Sequence, residues 1–149
     1  MASQLGCKYY DVHTGQKICY AGAELTICHT VTDHLPVRKM ATFNNSSLAL
    51  FIEIGNKQIF IGGDIEKAAA DIIMKIYAAE DLKCDIVQVC HHGYHGGSSA
   101  LYAAIDANIA LWPANQQVTI KSEHRKGNIC FPCRCSFLCA GKLAVYHSN

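Results

Sequence analysis

Two short stretches of this chain hold residue types that bind divalent metal ions. Gly62-Gly63-Asp64 supplies a carboxylate and His91-His92-Gly93 supplies paired imidazoles, with 27 residues separating Asp64 from His91. Carboxylate oxygen with imidazole nitrogen is a mixed donor set that suits Zn²⁺ or Mn²⁺. Asp64 follows the apolar run ending at Ile61, and His91 follows the run ending at Cys90. Both therefore fall where open α/β sheets place ligands, at the C-terminal ends of strands. Glycines at 62, 63, 93, 96 and 97 let both loops fold closely around an ion or substrate. Read singly, each stretch has a plainer explanation: Asp64 could cap a helix starting near Ile65, and the histidines could be solvated loop residues.

The elements that must position these groups follow from hydrophobic periodicity. Lys17–Tyr20 and 24–31 read as short strands joined at Ala21-Gly22, and 32–45 as a loop holding Pro36. A hairpin is predicted for 47–54 and 58–61 around Gly55-Asn56-Lys57. Apolar residues at 69, 72, 73, 76 and 77 predict a helix over 66–82, and 84–90 reads as a buried strand. A second helix over 98–105 has Ser98 as its N-cap, 108–112 is the next strand, and 142–147 is the last. The order predicts one α/β domain, a mixed β-sheet with helices on one face, in which 116–141 is an irregular Cys-rich segment.

Composition bounds the rest. The chain has 149 residues, half of them hydrophobic, and a formal charge of +1, which excludes disorder and gives no global attraction to nucleic acid. No stretch approaches the roughly 20 apolar residues of a membrane helix, and no secretory signal opens the sequence. The expectation is a cytoplasmic protein with reduced thiols. Nine cysteines, an odd number, cannot all pair internally.

The stretches Asn44-Asn45-Ser46-Ser47-Leu48, Ile61-Gly62-Gly63-Asp64, and Asp85 through Gly93, continued by Ser98-Ser99, resemble the metallo-β-lactamase fold. More narrowly they are similar to the hydrolase domain of DNA-internalisation competence proteins of the ComEC type. The resemblance covers about 15–115 and implies a hydrolase using metal-activated water on a phosphodiester or other ester. Zn²⁺ or Mn²⁺ would be the cofactor and a small molecule or phosphodiester the substrate, with nucleic acid only as substrate. It implies that Asp64 and one of His91 and His92 are catalytic metal ligands. His91, closer to its strand, is preferred. Asn45, His95, Ser98 and Ser99 become candidates to face substrate.

The resemblance also leaves gaps. The string H-x-H-x-D-H that carries most of that family's ligands is absent, and His29 to His34 does not reproduce it. The chain is therefore expected to match the C-terminal half of the family's αββα sandwich and to be weak or inactive alone. A missing N-terminal half, or a second copy of the chain, would cover its sheet. The competing expectation is a non-catalytic metal-binding or interaction domain. Cys130, Cys133, Cys135 and Cys139, spaced C-x2-C-x-C-x3-C, could then hold a structural zinc, though most of these thiols read as buried or free.

Overall fold

A computed structural model describes residues 10–34, 43–114, 136–139 and 142–146, the last two stretches and His34 as backbone. The strands are β1 (Lys17–Tyr20), β2 (Ala23–His29), β3 (Ala49–Ile54), β4 (Lys57–Ile61), β5 (Ile86–Gln88), β6 (Ile109–Trp112), β7 (Ser136–Cys139) and β8 (Lys142–Tyr146). The helices are α1 (Val31–His34), α2 (Lys67–Ile76) and α3 (Ser99–Ile105), with 3₁₀ turns at Phe43–Ser46, Ala79–Leu82 and Cys90–Gly93.

These strands form one mixed sheet in sequence order, β1 to β8. β1 to β4 make an antiparallel meander, β4 to β7 run parallel, and β8 returns antiparallel to β7. The β4–α2–β5 and β5–α3–β6 crossovers step in the same direction. Right-handed connection therefore lays both helices on one face. Phe60, Val87 and Ala110 occupy that face and are buried with Ala69, Ala70 and Ile73 of α2 and Leu101, Tyr102 and Ile105 of α3. Burying each large apolar side chain there contributes about 1.5–3 kcal/mol.

The predicted hairpin, the second helix and its Ser98 cap are all observed; Ser98 Oγ accepts from the Leu101 N–H at 3.2 Å. Several expectations change. The first predicted helix stops at Ile76, because Tyr77 turns extended and its hydroxyl donates to the Ile27 carbonyl at 3.3 Å. The chain then re-enters as a 3₁₀ turn that buries Leu82 completely. The 84–90 strand shortens to Ile86–Gln88, since Cys90 already belongs to the turn carrying the histidines. The 24–31 strand ends at His29, and α1 starts at Val31 and runs into the expected 32–45 loop, which also holds the 3₁₀ turn at Phe43–Ser46; 35–42 lies outside the described residues. Within 116–141, expected to be irregular, Ser136–Cys139 forms β7.

Candidate active site on the rim of strands β4 and β5

β4 and β5 are parallel neighbours, with Ile59 opposite Ile86 and Phe60 opposite Val87. Their C-terminal ends consequently leave the sheet side by side, and the turns that follow meet. His92 Nε2 lies 3.8 Å from Asp64 Oδ1, and His91 Nδ1 lies 3.5 Å from Glu66 Oε1. Sequence position favours His91 as the neighbour of Asp64; the distances favour His92.

The backbone sets this arrangement. His91 (φ 48°, ψ 44°) and His92 (φ 53°, ψ 15°) are successive non-glycine residues in the left-handed region, and His95 adds a third at φ 48°. Such residues cost about 1–3 kcal/mol each and persist only where surrounding contacts over-determine them. Those contacts are present. The Cys90 N–H donates to the Tyr102 hydroxyl at 2.9 Å, the His91 N–H to the Gly63 carbonyl at 3.0 Å, and the Trp112 indole N–H to the His92 carbonyl at 2.9 Å. Gly96 packs so closely on Cys90 that a Cβ there would lie 2.1 Å from its carbonyl oxygen.

Gln88 ties one turn to the other. Its Oε1 accepts from the Gly63 N–H at 2.8 Å, and its Nε2 donates to the carbonyls of Gly63 at 3.1 Å and Val89 at 2.9 Å. Gly63, at φ +59°, is thus held on both sides of its backbone, and the Asp64 N–H donates to Ser47 Oγ at 3.1 Å. Asp64 keeps its side chain 40% exposed and His92 keeps 51%, so both reach solvent from a rigid base.

The hydrogen bond behind His92 decides which nitrogen it offers. His92 Nδ1 lies 2.7 Å from the Pro113 carbonyl oxygen, which can only accept. Nδ1 therefore carries the proton, and in the neutral ring Nε2 presents its lone pair toward Asp64. This backbone-oriented imidazole is the usual arrangement of a metal-ligating histidine. Two donors bonded at 2.0–2.2 Å to one ion can be at most about 4.2 Å apart, and 3.8 Å lies within that reach. A catalytic zinc takes three protein ligands. Among the described residues no group of three His, Cys, Asp or Glu is placed to hold an ion. Asp64 and His92 thus fit one edge of a metal site and do not complete it.

No protein-family profile matches the chain. Over 58 residues it is 36% identical to ComE operon protein 3 of Bacillus subtilis (strain 168). That match covers 39% of this chain and 7% of the Bacillus protein. The chain therefore spans a small part of that competence-operon protein's length.

The remaining candidates fall at different depths. Asp64 does not cap a helix: α2 begins at Lys67, its N-cap is Glu66, and the cap bonds come from elsewhere. Asn45 supplies them, its Oδ1 accepting from the N–H groups of Glu66 at 3.0 Å and Ala69 at 3.2 Å. Asn45 is only 1% exposed, so its side-chain oxygen anchors α2 beneath the rim and does not face a substrate. His29, fully buried, donates from Nε2 to the Asn45 carbonyl at 3.1 Å. Ser98 is committed to capping α3, whereas His95 and Ser99 are exposed near the rim. Cys130, Cys133 and Cys135 lie outside the described residues, and Cys139 is described only as backbone in β7. The short basic run of Lys121, His124, Arg125 and Lys126 also lies outside the described residues.

Glu66 and Asn44 are rim residues that sequence reading missed. Asn44 Nδ2 donates to Glu66 Oε1 at 2.9 Å and lies within 3.5 Å of the His91 ring. The two-residue offset of Glu66 from Asp64 was the available signal. Among the described residues no helix is long and apolar enough to cross a membrane.

Proposed function

We propose that this chain is a metal-dependent-hydrolase-like domain of the ComEC type, within the metallo-β-lactamase superfamily, whose Asp64 and His92 contribute two ligands to a Zn²⁺ or Mn²⁺ site. The observation that carries this reading is the 3.8 Å approach of the two donors, with His92 Nδ1 occupied by the Pro113 carbonyl. The similarity to a competence-operon protein supports the same direction. When bound, the ion would activate water for attack on a phosphodiester or other ester. This chain's own residues orient the donors: Gln88 fixes the Asp64 turn, and Trp112 and Pro113 fix His92.

With two ligands in place, metal binding is weak and hydrolysis by the isolated chain is slow or absent. Calorimetric titration with Zn²⁺ and Mn²⁺, alongside turnover of bis-p-nitrophenyl phosphate, tests the reading. Asp64→Ala and His92→Ala should each weaken binding at least tenfold, and His91→Ala should leave it within about twofold. Equal binding by wild type and both variants would refute the site. The donor count also favours a second reading, a non-catalytic domain that keeps this half of the fold. Measurable binding without turnover would select it.

A further inference from the structure

A cavity of about 340 Å³ lies beside the C-terminal end of α2, on the sheet face that the helices cover. Strand register defines its floor. Phe60 faces the helices, and Phe51, Thr26 and Lys17 follow it on the same side across β3, β2 and β1. Two positions along each strand, Gln58, Glu53 and Glu24 form a second row on that side. Tyr77 and Asp81, from the end of α2 and the 3₁₀ turn after it, make the wall. The cavity lies toward the start of β4, whereas Asp64 and His92 lie beyond its end, and neither of them lines it.

This lining has two characters. Phe51 and Tyr77 are partly buried aromatics, and the Tyr77 hydroxyl is already bonded to the Ile27 carbonyl, which leaves its ring to meet a ligand. Glu24, Glu53 and Asp81 set three carboxylates against one ammonium, Lys17, which pairs with Glu24 at 2.6 Å. Glu53 and Asp81 form no ion pair among the described residues. The carboxylates are spread out, since no group of three His, Cys, Asp or Glu among the described residues is placed to hold a metal ion. A compact inorganic cation therefore has no cage here.

We propose that the cavity binds a linear aliphatic diammonium ion, its charges on Glu53 and Asp81 and its methylenes along Phe51 and Tyr77. Charge selects this class: two uncompensated carboxylates match two separated positive charges and repel an anion. Aromatic faces attract ammonium groups, and their apolar surface covers an aliphatic stem. Lys17 is an internal precedent, an ammonium on such a stem bonded to a carboxylate of the same floor. Its bond to Glu24, with Glu53 adding, holds the Lys17 ammonium above its ordinary 10.5. The volume is at the small end of ligand sites, which suits a chain of about four to six carbons.

Calorimetry and ¹H–¹⁵N spectra of the full chain with 1,5-diaminopentane at low ionic strength test this. The expected Kd is below about 1 mM, with shifts centred on Phe51, Glu53, Tyr77 and Asp81. Butylamine, with one charge, should bind at least about fivefold more weakly, and 1,5-pentanediol should not bind. Glu53→Gln with Asp81→Asn should weaken the diamine at least about tenfold with circular dichroism unchanged. Glu80→Gln removes a neighbouring carboxylate that does not line the cavity and should change binding less than about twofold. No binding at about 10 mM diamine would overturn the proposal. So would binding indifferent to the Glu53 and Asp81 pair, or weakened as much by Glu80→Gln, which would reduce it to diffuse surface charge. Tighter binding of Nα-acetyl-lysine amide than of the diamine would overturn it too, and assign the cavity to a lysine side chain of a peptide.

Discussion

At the scale of single residues, a few buried or bonded groups decide what the rim can present. His92 can offer Nε2 because Pro113 has taken Nδ1, and Asp64 is free to face it because Asn45 performs the helix-capping job. Asn45→Ala should lower stability by about 1–2 kcal/mol, read as a lower urea midpoint, since it strips the side-chain acceptor from two N–H groups at the start of α2. A second knot lies at the start of α1, where Asp33 accepts from the Thr14 N–H, the Thr30 hydroxyl and His13. These bonds hold its carboxyl well below the ordinary 3.8, and the bond to Asp33 raises His13 above 6.5. The Asp33 contribution is present above about pH 3.8 and fades as pH falls through its lowered value; the His13 contribution is complete below about pH 6.5 and fades as pH rises through its raised value. The stability difference between wild type and Asp33→Asn should therefore be largest near about pH 5 and shrink toward pH 8, measured by chemical denaturation. Burial raises the thiols of Cys28 and Cys90 to about 12, so native alkylation at neutral pH should spare both and label exposed Cys19, as peptide mapping would show.

At the scale of elements, the site depends on two turns being welded together. Gln88 bonds both sides of Gly63, and Gly96 leaves no space for a Cβ against the Cys90 carbonyl. Gly96→Ala should destabilise by at least about 2 kcal/mol, because a backbone segment has to move. The turns themselves were legible in the sequence: GGD and HHG each end an apolar run, and glycines mark the tight places. The hairpin and α3 were legible for a similar reason, since their signals are local. What holds the turns was not. Tyr102, Trp112, Pro113 and Asn45 act across 12 to 24 residues of sequence, where periodicity carries no information. The early end of α2 has the same origin, a tertiary bond from Tyr77 to β2 without a glycine or proline to announce it. The order of the two histidines was illegible because it turns on left-handed backbone at both.

At the scale of the whole molecule, one sheet divides the labour between its faces. α2 and α3 cover one face, the opposite face carries an aliphatic row from Ile18 to Ile109, and the parallel β4–β5 pair brings Asp64 to His92 at one edge. The mixed sheet with helices on one face was readable from the order of elements. Which residues lie opposite α2 and α3 could be named only once the register showed which of them share a side. The central claim is that Asp64 and His92 can share one cation, and imidazole ¹⁵N spectra of the labelled protein test it most directly. Before metal is added, neutral His92 should appear as the Nδ1–H tautomer. On Zn²⁺ titration its Nε2 resonance should shift while His91 stays in place, and Asp64→Ala should abolish the shift. A His92 found as the Nε2–H tautomer, or a zinc response confined to His91, would contradict the account.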